Sequence, residues 1–324
     1  MKLGRRQFLR LAAGAAALPA VPRLVKAHAY PSRPVRWIVP FTPGGPTDTV
    51  VRPMAQWLSE RLGQPFVVDN RPGAGTNVGT EAVVRAPADG YTLLMIAPSS
   101  AINATLYDKL NFNFARDIAP VATITRQSQV MVVNPSFPAK TVPEFIAYAK
   151  ANPGKINMAS SGIGTGQHVA GELFKIMTGV NITHVPYRGG APAITDLIAG
   201  QVQVMFTSPF GLMEYIQAGK LRALAVTTTR SDALPDLPVL GDFVPGYESS
   251  GWFGVGAPKN TPAEIIDRLN KEINAGLADP KIKARLADLG GTPFVGSPAD
   301  FGKLIADETE KWAKVIRAAN IKVD

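Results

Sequence analysis

The sequence predicts an α/β protein, and three observations predict it. Short apolar runs alternate with amphipathic ones along most of the 324 residues. Three helix starts are spelled out by a hydroxyl residue, a proline and an acid in close succession. A strand, a glycine-rich loop and a helix follow one another in both halves of the chain.

The strands expected in chain order are Val35–Val39, Phe66–Asp69, Thr92–Ala97, Gln129–Val133, Ile156–Ala159, Val202–Phe206, Leu224–Thr227 and Trp252–Ala257. Between Thr49 and Leu62 the residues Val51, Met54, Ala55, Leu58 and Leu62 share one helical face, and Gly63 offers a stop. Thr141-Val-Pro143-Glu144, Thr261-Pro262-Ala-Glu264 and Ser297-Pro298-Ala-Asp300 each place a hydroxyl at the N-cap and an acid at N3. In the last helix Phe301, Leu304, Ile305, Trp312 and Ile316 form the core face.

Composition narrows the function. Hydrophobic residues make up 46% of the chain, enough for a sizeable core in one large or two medium domains. The N-terminus reads as an export signal. Arg5-Arg6-Gln7-Phe8-Leu9-Arg10 precedes the uncharged stretch Leu11–Val21, and Ala27-His28-Ala29 is a small-x-small cleavage site. The paired arginines resemble the twin-arginine motif, with Gly4 where Ser or Thr is usual. The apolar stretch is shorter than the roughly 20 residues that span a bilayer, and Pro19 and Pro22 interrupt it. Cleavage near Ala29 would deliver the remainder to the periplasm, with the export machinery as partner of the precursor alone. It would also remove Lys2, Arg5, Arg6, Arg10, Arg23 and Lys26 and no acid, so the net charge falls from +9 to +3. That modest charge, without a helix-turn-helix, zinc-finger or RNA-binding pattern, argues against nucleic acid.

The chain has no cysteine, which excludes disulfides, thiolate metal sites, a cysteine nucleophile and a lipoprotein anchor. Only His168 and His184 follow the signal, so a multi-histidine metal site is excluded. No cofactor signature is present. Gly162-x-Gly164-x-Gly166 lacks the G-x-G-x-x-G spacing, and there is no P-loop and no G-x-S-x-G elbow.

The two glycine-rich loops are the chemical signal. Strand 35–39 runs into Phe41-Thr-Pro43-Gly44-Gly45-Pro-Thr47-Asp48, and strand 156–159 into Ser160-Ser161-Gly162-Ile-Gly164-Thr165-Gly166. Each then enters a helix, whose first N–H groups lack intrahelical partners and lie at the positive end of the dipole. Such a loop binds an anion without lysine or arginine. Two of them facing each other would hold one anion from both sides. A hydrogen bond to a charged group contributes ~1.5–3 kcal/mol, so three or four reach the ~8 kcal/mol of micromolar affinity. Asp48, in a first helical turn, reads as a cap or dipole partner and not as a general base. His168 reads as a ligand hydrogen-bonder or a packing residue, and His184, between Ile182 and Val185, as a strand residue near the hinge or cleft.

Pro40-Phe41-Thr42-Pro43-Gly44-Gly45-Pro46-Thr47-Asp48 resembles the P-F-x-P-G-G-x-x-D signature of the tripartite tricarboxylate transporter binding receptors, also called Bug proteins. Six further stretches match in order, from Asn70-Arg71-Pro72-Gly73 through His184-Val185-Pro186-Tyr187-Arg188-Gly189 to Gly219-Lys220-Leu221-Arg222. The resemblance implies a type II periplasmic-binding-protein fold: two α/β lobes joined by two crossing strands, near Ile124–Val133 and Ser249–Val255. Lobe one would be residues 30–128 plus 250–324, and lobe two 129–249. It implies a carboxylate ligand held by Phe41, Pro43, Gly44, Gly45, Thr47 and Asp48 of the first loop and Ser161, Gly162, Gly164, Thr165 and His168 of the second. Ser99, Tyr187, Ala191 and Thr207 would form the walls. Thr207 stands where many relatives have Asp, which disfavours an amino-acid ligand and favours a dicarboxylate or aromatic acid.

The function implied is periplasmic capture of a small organic carboxylate, by a monomer, for delivery to membrane permease subunits. A ligand-reporting partner of a sensor kinase would use the same clamp. An acyl- or phosphoryl-transfer enzyme is the remaining alternative, and it would need Ser160 or Ser161 bonded to His168 beside an oxyanion site.

Overall fold

The computed structural model describes residues 30–107, 109–209, 211–228, 234–288 and 290–323. The export signal expected over residues 1–29 lies outside the described residues. Two sheets organise the chain, and each is covered by helices on both faces.

The first sheet is entered directly. β1 (Val35–Val39) leads into α1 (Pro46–Leu62), β2 (Phe66–Asn70), α2 (Asn77–Val84), β3 (Thr92–Ile96), α3 (Pro98–Leu106), α4 (Phe114–Asp117) and the long β4 (Ile118–Ser128). The second sheet contains β5 (Val130–Val133), α5 (Val142–Ala151), β6 (Asn157–Ser160), α6 (Gly166–Thr178), β7 (Thr183–Pro186), α7 (Gly190–Ile198), β8 (Val204–Thr207), α8 (Met213–Gln217) and β9 (Arg222–Val226). The chain then returns through β10 (Ser250–Pro258) to α9 (Ala263–Ala278), α10 (Pro280–Asp288), β11 (Thr292–Pro293) and α11 (Pro298–Ala318).

The strand orders are β11-β4-β10-β3-β1-β2 and β7-β6-β8-β5-β9. In the first sheet β1 is parallel to β2 and β3, while β10 runs antiparallel between β3 and β4. In the second, β6 is parallel to β7 and β8, and β5 is antiparallel to β8 and β9. The chain passes between the sheets at Gln129, where β4 gives way to β5, and again where β9 gives way to β10. The parallel strands place four strand-to-helix loops at the C-terminal edges of their sheets, the usual position for a ligand in open α/β sheets.

Packing follows the residue patterns. One face of the first sheet carries Val50, Val51, Met54 and Leu58 of α1 against Leu269, Ile273 and Leu277 of α9. Its other face packs Trp252 and Ile38 against Phe301 and Ile305 of α11. The second sheet buries Phe145 and Phe174 on one side and Ile194 and Leu197 on the other. A smaller cluster bridges the sheets: Ile102 and Leu106 of α3, Val169 of α6, and Trp312 and Ile316 of α11.

Local signals held where the side chain itself closes a bond. Ser297 and Asp300 form a reciprocal capping box, and Thr141 accepts from the Glu144 amide. Gly63 ends α1 in the left-handed region at φ 72. Other expectations need correction. Thr261 does not cap α9, because its hydroxyl donates to the Pro258 carbonyl and Pro262 takes the N-cap position. The first helix begins at Pro46, three residues before Thr49, since proline needs no amide partner in a first turn. Strand β4 begins at Ile118, ahead of the crossing expected near Ile124–Val133, because β10 pairs with it from Ile118 to Ser128.

Gly254 of β10 marks the tightest point of this pairing. A Cβ there would lie 2.3 Å from Phe301 Cζ and 2.7 Å from the Ala122 carbonyl oxygen. Gly254→Ala is expected to destabilise the protein by about 1–3 kcal/mol, read as a lowered denaturant midpoint; an unchanged midpoint would show that α11 can shift freely.

Candidate functional site

Four helices begin at one cavity. It is lined by Gly45, Pro46 and Thr47 of α1, Pro98 and Ser99 of α3, Thr165, Gly166 and Gln167 of α6, and Gly190 of α7. Phe41, Ala97, Ser161, Ser208, Gln127, Gln129, Gly251 and Phe253 complete the walls. The space is about 50 Å³, room for a compact guest or a few waters. No Lys, Arg, His, Asp or Glu is among these lining residues.

The helix starts are left open in a specific way. α1, α3 and α7 have Gly45, Ala97 and Gly189 at their N-caps, and none receives a side-chain cap. Their first amides therefore lack the usual internal acceptor. α6 is capped by Thr165, whose hydroxyl accepts from the His168 amide and donates to the Gly162 carbonyl. Three open helix starts and one closed one present donors and positive dipole ends to a common space.

Glycine allows the halves to meet. A Cβ on Gly45 would sit 3.8 Å from the Gly190 and Ala191 amide nitrogens. Gly189, at φ 131, has Thr42 so close that a Cβ would lie 2.0 Å from its hydroxyl oxygen. The loops at Gly44–Thr47 and Gly162–Thr165 thus face each other across a closed cleft. Beyond Phe41 and Ser161, which line both spaces, a second cavity of about 220 Å³ opens toward Gly75, Gly162, Tyr187 and Arg188.

Of the residues expected at the site, Phe41, Gly45, Thr47, Ser99, Ser161 and Thr165 line the first cavity, and Gly162 and Tyr187 line the second. Pro43, Gly44, Asp48, Gly164, His168, Ala191 and Thr207 line neither. Pro43 and Gly44 are exposed at the loop tip. Asp48 is buried and braces the loop, accepting from the Gly44 amide, from Asn70 and from Arg52 at 2.7 and 3.0 Å. Burial alone would raise its pKa, but the hydrogen bonds from Arg52, Gly44 and Asn70 outweigh burial and hold the carboxyl below its ordinary value. Gly164 packs on Asn103, and Thr207 accepts from Gln167 Nε2 at 2.6 Å. Tyr187 donates to Asp196 at 2.7 Å, and burial followed by Asp196 raises its phenol to about 12.

His168 points away from the cleft. Its ring stacks on His184 at 3.8 Å between centroids, and its Nδ1 accepts from the Gly164 amide at 3.3 Å. Burial, then the neighbouring His184 and Lys175, pushes it down to about 3; burial and Lys175 push His184 down to about 4. Both rings are neutral, so Glu172, 3.8 Å from His168, pairs with Lys175 at 2.8 Å. His184 sits on edge strand β7, with β6 and β8 between it and β5. Its Nε2 lies 2.6 Å from the Ser160 hydroxyl. Ser160 is fully buried and bonded to His184, not His168, so the arrangement sought for an acyl-transfer nucleophile is not formed at the cleft.

Besides Pro46, Ala97, Gln167 and Ser208, the residues lining the first cavity that were not anticipated fall into two groups. Pro98 and Gly190 belong to helix starts that Ala97-Pro98-Ser99 and Gly189-Gly190 could have flagged, and Gly166 ends the second glycine-rich loop already singled out. Gln127, Gln129, Gly251 and Phe253 come from the crossing strands; the polar Gln127-Ser128-Gln129 run amid apolar strands was the available signal.

Residues 50–321 match the tripartite tricarboxylate transporter family receptor. Protein BugT of Bordetella pertussis is 38% identical over 303 residues, covering 92% of this chain and 93% of BugT. The solved structure of R. palustris Rpa4515 with adipate has 39% identity and a TM-score of 0.87, covering 90% of this chain and 99% of that one. MatC from Rhodopseudomonas palustris with bound malate has 30% identity and a TM-score of 0.84, covering 89% and 100%. The chain belongs to the tripartite tricarboxylate transporter receptor family, the Bug and TctC-like binding proteins, and has their two-lobed periplasmic-binding-protein fold.

The neutral histidine pair carries a pH signature. Between about pH 6.5 and the depressed folded values the unfolded chain binds protons that the folded chain does not, so stability falls as pH falls through that window. Thermal melts from pH 7 to 4 are expected to show this loss, with a shallower slope in His184→Gln. Identical slopes would mean that the pair is not buried neutral.

Proposed function

We propose that the protein captures a small organic carboxylate between its two lobes and presents it, closed, to a membrane permease for uptake. The reading starts from membership of the receptor family. The observation that carries it is the cavity at which four helices begin without one ionisable side chain in its walls. A single negative charge is what such a space favours, since the dipoles and amides supply the attraction and no fixed charge competes. A phosphate dianion would leave more charge unmatched in so small a volume. The adipate and malate named for two similar structures support the carboxylate class.

The lobes are assigned as residues 30–128 with 250–324, and 129–249, with the passages at Gln129 and before β10 as hinge strands. The first twenty-nine residues export the chain and are removed near Ala29, so that a monomer acts in the periplasm. Among the described residues no helix is long and apolar enough to cross a membrane, and a separate permease would carry the ligand onward. Closure is a population shift toward the state in which both sets of amides reach the guest.

Isothermal titration of the folded protein against short mono- and dicarboxylates is expected to give micromolar binding for at least one acid. Heat from none of them would overturn the proposal. With the acid so found, Gly189→Ala is expected to weaken binding at least about ten-fold, because its methyl would strike Thr42 before closure completes. Gly219→Ala, also at positive φ (67) but with nothing within 4 Å, is expected to leave affinity unchanged.

A further inference from the structure

The crossing strands put two glutamines with unmet acceptors into the cavity wall. Gln127, at the end of β4, and Gln129, at the passage to β5, are two residues apart and both line the cavity. Ser128 between them turns the other way, toward Thr228. Both glutamines are more than nine-tenths buried, at 5% and 3% exposed. Gln127 Nε2 donates to the Ser208 hydroxyl at 3.2 Å, and Gln127 Oε1 has no partner. Gln129 is anchored through its backbone, its amide donating to Thr227 Oγ1 and its carbonyl accepting from the Thr227 amide. Its side-chain Oε1 is likewise buried without a partner. Gly251 makes the space, since a Cβ there would lie 2.7 Å from Gln127 Nε2.

A buried amide oxygen without a donor is costly, and a guest that brings the donor removes that cost. We infer that Gln127 and Gln129 are specificity-determining residues that select a short carboxylate bearing a hydroxyl group, the hydroxyl donating to their side-chain carbonyls. This rests on the carboxylate reading above and deepens it. A second carboxylate would set lone pairs against these oxygens with no cationic side chain lining the cavity to offset them. An ammonium group would face the positive ends of the helices with no carboxylate lining the cavity to pair with. A neutral hydroxyl satisfies the acceptors at neither cost. Thr207, whose hydroxyl is tied to Gln167, does not contribute to this choice.

The test compares matched acids on the wild-type protein: lactate with propionate, 3-hydroxybutyrate with butyrate, and succinate as the dicarboxylate. The hydroxylated member of at least one pair is expected to bind about ten-fold or more tightly than its deoxy partner and more tightly than succinate. Gln127→Met and Gln129→Met, checked by circular dichroism, are expected to erase that preference, bringing the two members of the pair within about three-fold of each other. Gln129→Glu adds a fixed anion and is expected to shift preference toward 3-aminobutyrate. Equal binding within each pair, or a hydroxyl preference that survives both methionine variants, overturns the inference and leaves the carboxylate proposal standing. Silence from every acid overturns both.

Discussion

Everything about this molecule turns on bringing positive helix ends together. Each helix start carries roughly half an elementary charge of effective dipole, and four of them meet at one small cavity. Without a guest these ends repel one another, and three of the four lack a side-chain cap that would occupy their amides. A negative guest converts that repulsion into attraction and supplies the missing acceptors in one step. The proposed capture would make binding and closure a single event, because two of the helix starts belong to loops after β1 and β3 and two to loops after β6 and β7. The apolar cluster of Leu106, Val169 and Trp312 adds burial to the same closed arrangement.

That constraint explains the distribution of ionisable groups. A cation in the cavity would bind the anion more strongly, but it would also hold the ligand in the open state through one lobe alone. The charged residues near the loops are instead spent on rigidity. Asp48 is neutralised by Arg52 and fastened to Gly44 and Asn70, so its charge shapes the first loop without reaching the guest. His168 and His184 are stacked and neutral beneath the second loop, where one ring receives the Gly164 amide. Both loops are thereby braced by bonds outside the cavity, which lowers the ordering cost of binding.

Much of the fold was legible because its signals are local. Apolar alternation located β1, whose bounds the structure reproduces, and the Ser297-Pro298-Ala-Asp300 pattern located the start of α11 through a bond its own side chains form. The Thr261 pattern failed because a hydroxyl can bond backward, to Pro258, as well as forward. The length of β4 was not legible, since its partner β10 lies more than a hundred residues away. The same distinction governs the site. Gly45, Thr47, Ser161 and Thr165 advertise themselves by sitting where a glycine-rich loop enters a helix. Gln127, Gln129, Gly251 and Phe253 reach the cavity through the pairing of the crossing strands; the polar Gln127-Ser128-Gln129 run hints that something interrupts the apolar pattern there, but not that it meets the loops.

Affinity and selectivity consequently reside in different parts of the chain. Backbone amides supply the attraction to charge, and a backbone amide has no side chain through which one acid could be told from another. Discrimination must come from the walls, and the two cavity-lining side chains with a buried, unpartnered polar atom are Gln127 and Gln129 of the crossing strands. Gln127, Gln129, Gly251 and Phe253 of those strands line the cavity between the opposing loops. A substitution in the loops alters how tightly any carboxylate is held. On the proposed reading, a substitution at Gln127 or Gln129 alters which carboxylate is held while the helix starts stay unchanged.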